Sequence, residues 1–161
     1  MNFTNELLTC LRARPNALAI VNGSEFYPDI KGRILFFNVK NGVMVCAEIS
    51  GLPQKTNVCE SPVFALHIHS GNSCTGDYED PFFDAGVHFN PENCMHPYHA
   101  GDLPPLFSVN GKAVMCVLTN RFKLKDVIGK AIIIHSKPDD FTTQPSGNAG
   151  EKIACGIIKA Y

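Results

Sequence analysis

The chain has 161 residues, 45% of them hydrophobic, and its 14 basic and 15 acidic residues give a formal net charge of -1. This balance predicts one compact domain and excludes both the basic surface typical of nucleic-acid binding and a disordered acidic tail. No apolar run approaches the roughly 18–20 residues of a membrane span, and the N-terminus lacks the features of a signal peptide. We therefore expect no membrane partner and a cytoplasmic location.

The first predicted element is a short N-terminal helix over residues 5–14. It has a polar cap at residue 4 or 5, leucines at helical spacing, and Pro15 at its end. The leucines are Leu7, Leu8 and Leu11. We treat residues 1–15 as a helical extension of a single domain that covers residues 1–161.

After Pro15 the sequence changes to short apolar runs separated by Gly, Pro and Asn-Gly. The predicted strands are 17–21, 32–39, 43–49, 63–69, 112–118, 131–135 and 153–159. Asn41-Gly42 predicts a hairpin between the second and third of them. The alternation within 43–49 indicates that only one face of that strand is wholly apolar. These patterns predict an all-β sandwich or barrel.

Residues 70–107 show almost no strand pattern and are rich in Gly, Pro, Asp and Asn. A loop of this length within a compact domain is usually functional, and metal ligation or a disulfide would order it. The seven cysteines are an odd number, so at least one thiol is free or pairs between chains.

All six histidines fall between residues 67 and 135, with the spacing of a two-metal site. An H-x-H pair on a strand, His67 and His69, places both imidazoles on one face, roughly 6.5–7 Å apart along the backbone. A set made only of imidazoles favours copper in affinity and gives it a redox couple. The candidate copper ligands are His67, His69, His88 and His135.

A second candidate site begins in the long loop, where His96, His99 and Asp102 recur every three residues. If His88 supplies a third nitrogen, three nitrogens and one carboxylate oxygen suit a tetrahedral zinc. Each signal has a competing interpretation when it is taken alone. A single histidine such as His135 is more often a packed or capping residue, and H-x-H also occurs on solvated strand faces.

Five separated motifs, in order, resemble the successive signatures of the copper/zinc superoxide dismutase family. They are FALHIHSGNSC at 64–74, GVHFNP at 86–91, HAGDL at 99–103, IIIHSKPDD at 132–140 and GNAGEKIACG at 147–156. The resemblance runs from about residue 32 to residue 158. Within the family, the sequence resembles the bacterial type, with a shortened zinc loop. It implies an immunoglobulin-like Greek-key sandwich or barrel of about eight strands with long metal-binding loops.

Carried over by position, the resemblance implies copper on the four histidines named above and zinc on His88, His96, His99 and Asp102. His88 would bridge the two metals and exchange a proton during catalysis. Asp139 would orient one copper histidine and one zinc histidine. Cys74 and Cys155 would form the disulfide that ties the long loop to a core strand.

The resemblance also implies a catalytic role for Lys152, which stands where the family typically has an arginine that attracts superoxide. An ammonium keeps the charge but lacks the planar fork of guanidinium, so a reduced rate is expected. As an alternative, Lys152 is an ordinary surface lysine. The loop between His135 and Lys152 is compact, which changes the predicted channel to the copper.

The remaining cysteines receive separate predictions. Cys46 and Cys116 lie in apolar strands and are interpreted as buried small hydrophobic residues. Cys59 and Cys94 flank the metal motifs and are candidates for a second bridge.

The predicted function is a superoxide dismutase that cycles a histidine-bound copper beside a structural zinc. The alternatives are a copper- or zinc-binding protein of the same fold without turnover, and a structural sandwich stabilised by zinc alone. Monomer and homodimer both stay open.

Overall fold

A computed structural model describes residues 8, 12–54, 57 and 62–161 of the chain. Most of the predicted N-terminal helix lies outside these described residues and stays a prediction. Cys59 also lies outside them, but Cys94 carries a free thiol, so the predicted bridge between these two cysteines is wrong. Within the described part of the chain, no helix is long and apolar enough to cross a membrane.

Most of the regular secondary structure in the described residues is β-strand. The strands are β1 Ala17–Gly23, β2 Lys31–Val39, β3 Gly42–Ser50, β4 Val63–Ile68, β5 Asp102–Phe107, β6 Ala113–Thr119, β7 Ala131–His135, β8 Lys152–Ile157 and β9 Lys159–Ala160. A 3-10 turn lies at Phe83–Ala85 and a short helix, α1, at Leu124–Val127. The all-β prediction is confirmed.

The strands form one antiparallel sheet in the order β5-β4-β7-β8-β1-β2-β3-β6, with β9 paired to β1. The end strands β5 and β6 contact each other, so the sheet curls into a nearly closed barrel. Strands β1–β2–β3, β4–β5 and β7–β8 pair as neighbours, whereas the connections from β3 to β4 and from β6 to β7 cross over to non-adjacent strands. Such crossovers fit the predicted Greek key of about eight strands.

Strand β5 corrects the prediction that residues 70–107 are almost strandless. Phe64 pairs with Leu106 and Leu66 with Leu103, so β5 has one extra residue in a bulge. The bulge contains Pro104 and Pro105. A terminal strand of a sheet tolerates proline at a bulge, because the missing N–H is not needed for pairing there. The two prolines therefore hid a strand that begins at Asp102.

The hairpin between β2 and β3 is present, but its turn lies one residue earlier than predicted. Val39 pairs with Gly42, so Lys40 and Asn41 form the two-residue connection. Gly42 has φ 154°, and a Cβ there would collide with the backbone carbonyl of Thr119. The glycine serves close packing against β6 rather than the turn itself.

Strand β3 is buried on both faces from Val43 to Ala47. Val43, Val45 and Ala47 point into the barrel core as the alternation predicts. Its other face contributes to a separate apolar cluster, composed of Phe37, Met44 and Cys46 with Leu35, Val39 and Leu118 against them.

The prediction that Cys46 and Cys116 are buried small hydrophobic residues is confirmed for the burial of Cys46 and is wrong for Cys116. The two residues are directly paired across β3 and β6 and form a disulfide, and Cys116 is exposed. Sequence reasoning took both as buried thiols because the apolar neighbours indicate a strand without indicating which strands are adjacent.

Candidate metal centre

The long loop packs on the outer face of β7 and β8 and so positions the site. Phe82 and Ala85 from the loop pack with Ala131 and Ile133 of β7, while Ile132 and Ile134 face the barrel core. Both faces of β7 are therefore covered, which fits its continuous apolar sequence. A disulfide between Cys74 and Cys155 links the same loop to β8, in the pairing that the resemblance implies.

The four candidate copper ligands meet on the outer face of the barrel, since Leu66, Ile68 and Ile134 beside them in β4 and β7 face the core. His67 lies in β4 and His69 just after it, His135 ends β7, and His88 pairs with His69 in an isolated bridge. All four side chains are buried, and one ring nitrogen from each lies within 4.8 Å of the others.

His69 and His135 point unprotonated ring nitrogens at each other, an arrangement that a bound cation would stabilise. His69 Nδ1 lies 2.7 Å from the Gly86 carbonyl and His135 Nδ1 lies 3.3 Å from the Gly150 carbonyl. A carbonyl only accepts, so each Nδ1 carries the proton and each Nε2 presents a lone pair. The two Nε2 atoms are 3.3 Å apart. A metal ion between such lone pairs satisfies both.

Burial keeps these rings neutral. It lowers the pKa of His69 to about 3, against a smaller opposing effect from the Gly86 carbonyl. Burial, followed by the positive charges of neighbouring histidines, also holds the pKa of His135 well below its usual value. Neutral imidazole is the form that binds a metal.

The second set of ligands surrounds one carboxylate. Oδ1 of Asp102 lies 2.8 Å from His88 Nδ1, and Oδ2 lies 3.0 Å from His96 Nδ1 and 3.3 Å from His99 Nδ1. Burial alone would raise the pKa of Asp102, but the His88 contact and the nearby histidines lower it overall. Asp102 opens β5 directly opposite His67, which brings the two sites together. Three nitrogens and a carboxylate fit zinc.

Asp139 links the two sets. Its Oδ2 lies 2.8 Å from His67 Nε2 and its Oδ1 lies 2.8 Å from His96 Nε2. Both rings therefore donate to it through Nε2, which leaves each Nδ1 free for a metal. Burial would raise the pKa of Asp139, yet hydrogen bonds from His67, the Phe141 N–H and His96 lower it to about 2.

The unpartnered atoms test whether the two metals fit. Three buried ring nitrogens lack a hydrogen-bond partner, namely Nδ1 of His67, Nε2 of His88 and Nδ1 of His96. Such atoms are costly inside a protein unless a ligand satisfies them. Each belongs to one of the two converging sets, and His88 belongs to both. The residues present thus fit copper on one side of His88 and zinc on the other.

Sequence reasoning missed several residues that hold the zinc side. The Arg121 guanidinium donates to the carbonyls of Pro97, His99 and Asp102. The Gln144 amide pairs with both the N–H and the carbonyl of His96. No local pattern marks either residue.

Gly147 is also part of this arrangement. It has φ 69°, and a Cβ there would collide with the Asp139 carboxylate and crowd His96. Its place in the GNAG segment, close after the histidine motif, was the signal that could have identified it.

Lys152 has a partner that sequence reasoning missed. Its ammonium lies 2.5 Å from Oδ2 of Asp80 and 3.2 Å from the carbonyl of Phe82. Lys152 also lines the cleft that leads to the copper histidines. Cys94 lines the same cleft and is the free thiol among the described cysteines.

A nearly closed Greek-key barrel with two adjacent His-rich sites that share one imidazole defines a class of dinuclear metalloprotein. The sequence profile described as copper/zinc superoxide dismutase (SODC) matches residues 30–158. The chain belongs to the copper/zinc superoxide dismutase family.

Individual relatives agree with this. The chain is 32% identical to the Cu-Zn superoxide dismutase of Legionella pneumophila, covering 80% of this chain and 77% of that protein. It is 31% identical to Cu-Zn superoxide dismutase 3 of Arabidopsis thaliana, covering 91% and 92%. Its fold is similar to that of the Cu/Zn superoxide dismutase from Brucella abortus, with a TM-score of 0.71 at 22% identity, covering 88% and 98%.

Proposed function

We propose that the chain is an oxidoreductase that converts superoxide to oxygen and hydrogen peroxide. The observation that carries this proposal is the shared position of His88 between two converging sets of ligands. His67, His69, His88 and His135 would hold copper, and His88, His96, His99 and Asp102 would hold zinc. Copper supplies one-electron chemistry by alternating between its two oxidation states, and zinc supplies a fixed positive charge.

His88 is the residue we assign to proton transfer. Its Nδ1 is held against Asp102 on the zinc side, and its Nε2 is buried without a partner on the copper side. A proton can therefore be taken up and released at Nε2 while Nδ1 stays in place. Asp139 keeps His67 and His96 in the tautomer that frees Nδ1. The six histidine rings are all buried.

The deciding experiment measures superoxide dismutation by protein reconstituted with copper plus zinc, with zinc alone, and without metal. We expect activity only with copper, and at least about a 100-fold loss in His135→Ala treated identically. Ser146→Ala, which alters the same cleft without removing a ligand, serves as the control and is expected to keep its activity.

The same experiment separates the alternative function. Protein that binds both metals and shows no turnover would be a metal-binding relative, and protein that binds zinc alone would be a structural sandwich. Either result would overturn the enzyme proposal.

On partners, we propose superoxide as the substrate and keep three expectations from the sequence. They are the absence of a nucleic-acid partner, the absence of a membrane partner, and a cytoplasmic location, supported by the near-zero net charge and the lack of a long apolar run. Sedimentation of the metal-loaded protein decides between monomer and homodimer.

A further inference from the structure

The cleft above the copper ligands carries an unfavourable charge balance for an anionic substrate. It has a volume of about 1420 Å³ and reaches the copper histidines His69, His88 and His135. Histidines aside, the charged side chains among the described residues that line it are Glu79, Asp80, Glu151 and Lys152. Three carboxylates therefore face a single ammonium.

Lys152 is well placed to act on the copper site. It opens β8 and pairs with His135, the copper ligand that ends β7. Lys152 also lines the cleft that reaches His69 and His135. The ammonium is therefore placed to influence an anion in that cleft.

That ammonium is not free. Oδ2 of Asp80 lies 2.5 Å from it and the Phe82 carbonyl lies 3.2 Å away. The Lys152 side chain is only 16% exposed, and the Asp80 side chain is 34% exposed. A partly buried pair is screened less by water and salt than one on the open surface.

The loop holds Asp80 in this position independently of Lys152. Its Oδ1 accepts the Phe82 N–H, and its own N–H donates to Asp77. Phe82 is buried beside Cys155, and the Cys74–Cys155 disulfide fastens the loop to the strand that bears Lys152. The carboxylate is therefore positioned before any substrate arrives.

We propose that Asp80 limits anion capture by the copper cleft because it neutralises Lys152. The predicted effect on turnover rests on the proposed function. The predicted effect on anion affinity does not, because anion binding to the copper can be measured without turnover. With the pair intact, the side chains that line the cleft add no net attraction for a superoxide anion to that of the bound metals. Asp80→Asn retains the Oδ1 acceptor for the Phe82 N–H and frees the ammonium.

The test uses copper- and zinc-loaded protein with azide as a small univalent anion, followed by its absorption change on binding copper. Asp80→Asn is expected to bind azide at least about threefold more tightly than the natural protein. The matched control is Glu79→Gln, which removes one carboxylate from the same cleft without touching Lys152, and its effect is expected to be smaller. Copper and zinc contents are measured for every variant.

Replacing Lys152 by Met separates the ion pair from net charge. In the Lys152→Met background, the gain from Asp80→Asn is expected to fall to that from Glu79→Gln. Equal gains from Asp80→Asn and Glu79→Gln in both backgrounds would mean that net charge alone acts, and the proposal would be overturned. Lys152→Arg provides a second variant that leaves Asp80 intact, and its spare donors are expected to tighten azide binding.

The salt dependence of dismutation provides the turnover readout. Between about 0.01 and 0.15 M ionic strength, the natural protein's rate is expected to stay flat or rise, and the rate of Asp80→Asn to fall. A natural protein whose rate falls as steeply as the variant's contradicts the proposal. Absence of turnover in both, with azide binding as expected, would overturn the proposed function and leave this inference standing.

Discussion

The copper and zinc halves of the site are held in different ways. On the copper side, His67 lies within β4 and His135 ends β7, and the backbone carbonyls of Gly86 and Gly150 orient His69 and His135. On the zinc side, the ligands His96 and His99 lie in the loop, and side chains from distant segments orient them. Those side chains are Asp139, Gln144 and Arg121.

This difference indicates in which half the position of the metal ligands depends on single side chains. Strand pairing places His67 and His135, and an isolated backbone bridge ties His69 to His88. One substitution outside the ligand set should therefore leave the copper ligands largely in place. Each zinc contact rests on one side chain, so its removal frees a loop ligand directly. Substitutions outside the ligand set should therefore weaken zinc binding more than copper binding.

The largest effect is expected for Asp139→Ala. It removes the acceptor of both His67 and His96, but only His96 lies in the loop, so zinc affinity should fall roughly 10- to 100-fold and copper affinity less. Competition with a chelator for each metal measures both affinities. Asp140→Ala is the control, since that neighbouring carboxylate only accepts from Thr142 and Thr143. Equal weakening of both metals would break the comparison.

Acid should destabilise the metal-free protein through the copper half first. The pKa of His69 is lowered by burial from 6.5 to about 3, so the unfolded chain binds more protons between these values. Stability is therefore fully present above about pH 6.5 and is lost as the pH falls towards 3. The pKa of Asp139 is lowered to about 2, so its carboxylate stabilises the fold above about pH 4. This contribution is lost only as the pH falls below that value.

Urea unfolding of the metal-free protein at pH values from 7 to about 4 checks this expectation. His69→Gln, which removes the buried titrating ring, should flatten the dependence. A free energy of unfolding that is constant over this range would contradict the prediction, because it would mean that folding does not lower the pKa of His69.

A smaller effect on the zinc half is expected from Gly147→Ala. The added Cβ would push the Asp139 carboxylate away from His96 and would also strain a backbone with φ 69°. Gly129→Ala is a matched control, because Gly129 has φ 84° and no atom within 4 Å of the added Cβ. Zinc release rates of the two variants should differ several-fold. Equal rates would assign the effect to backbone strain alone.

The smallest effect is expected from Arg121→Lys. One guanidinium nitrogen reaches the carbonyls of Pro97, His99 and Asp102, and the ammonium cannot be expected to keep all three contacts. Zinc release should quicken a few-fold while copper affinity stays unchanged. Arg33→Lys, at an exposed pair with Glu48, is the control. A loss of copper affinity in Arg121→Lys would contradict the prediction that Arg121 supports the zinc half alone.

Much of the fold was predictable because strand pattern is local. Alternation and the spacing of turn residues identified seven of the strands, and only the short β9 and the proline-containing β5 were not separately recognised. The β2–β3 turn was misplaced by one residue because Gly42 meets a steric demand from Thr119, which lies on another strand.

The sequence by itself determined the candidate ligands, since H-x-H and the histidine spacing after it are local patterns and the five motifs occur in order. The tertiary structure decided the long-range partners that neither the local patterns nor the family resemblance indicated. Asp80 and Lys152 are 72 residues apart, and Cys46 and Cys116 are 70 apart. The physical reason is that local periodicity specifies which face a side chain occupies, whereas its contact depends on which segments barrel closure brings together.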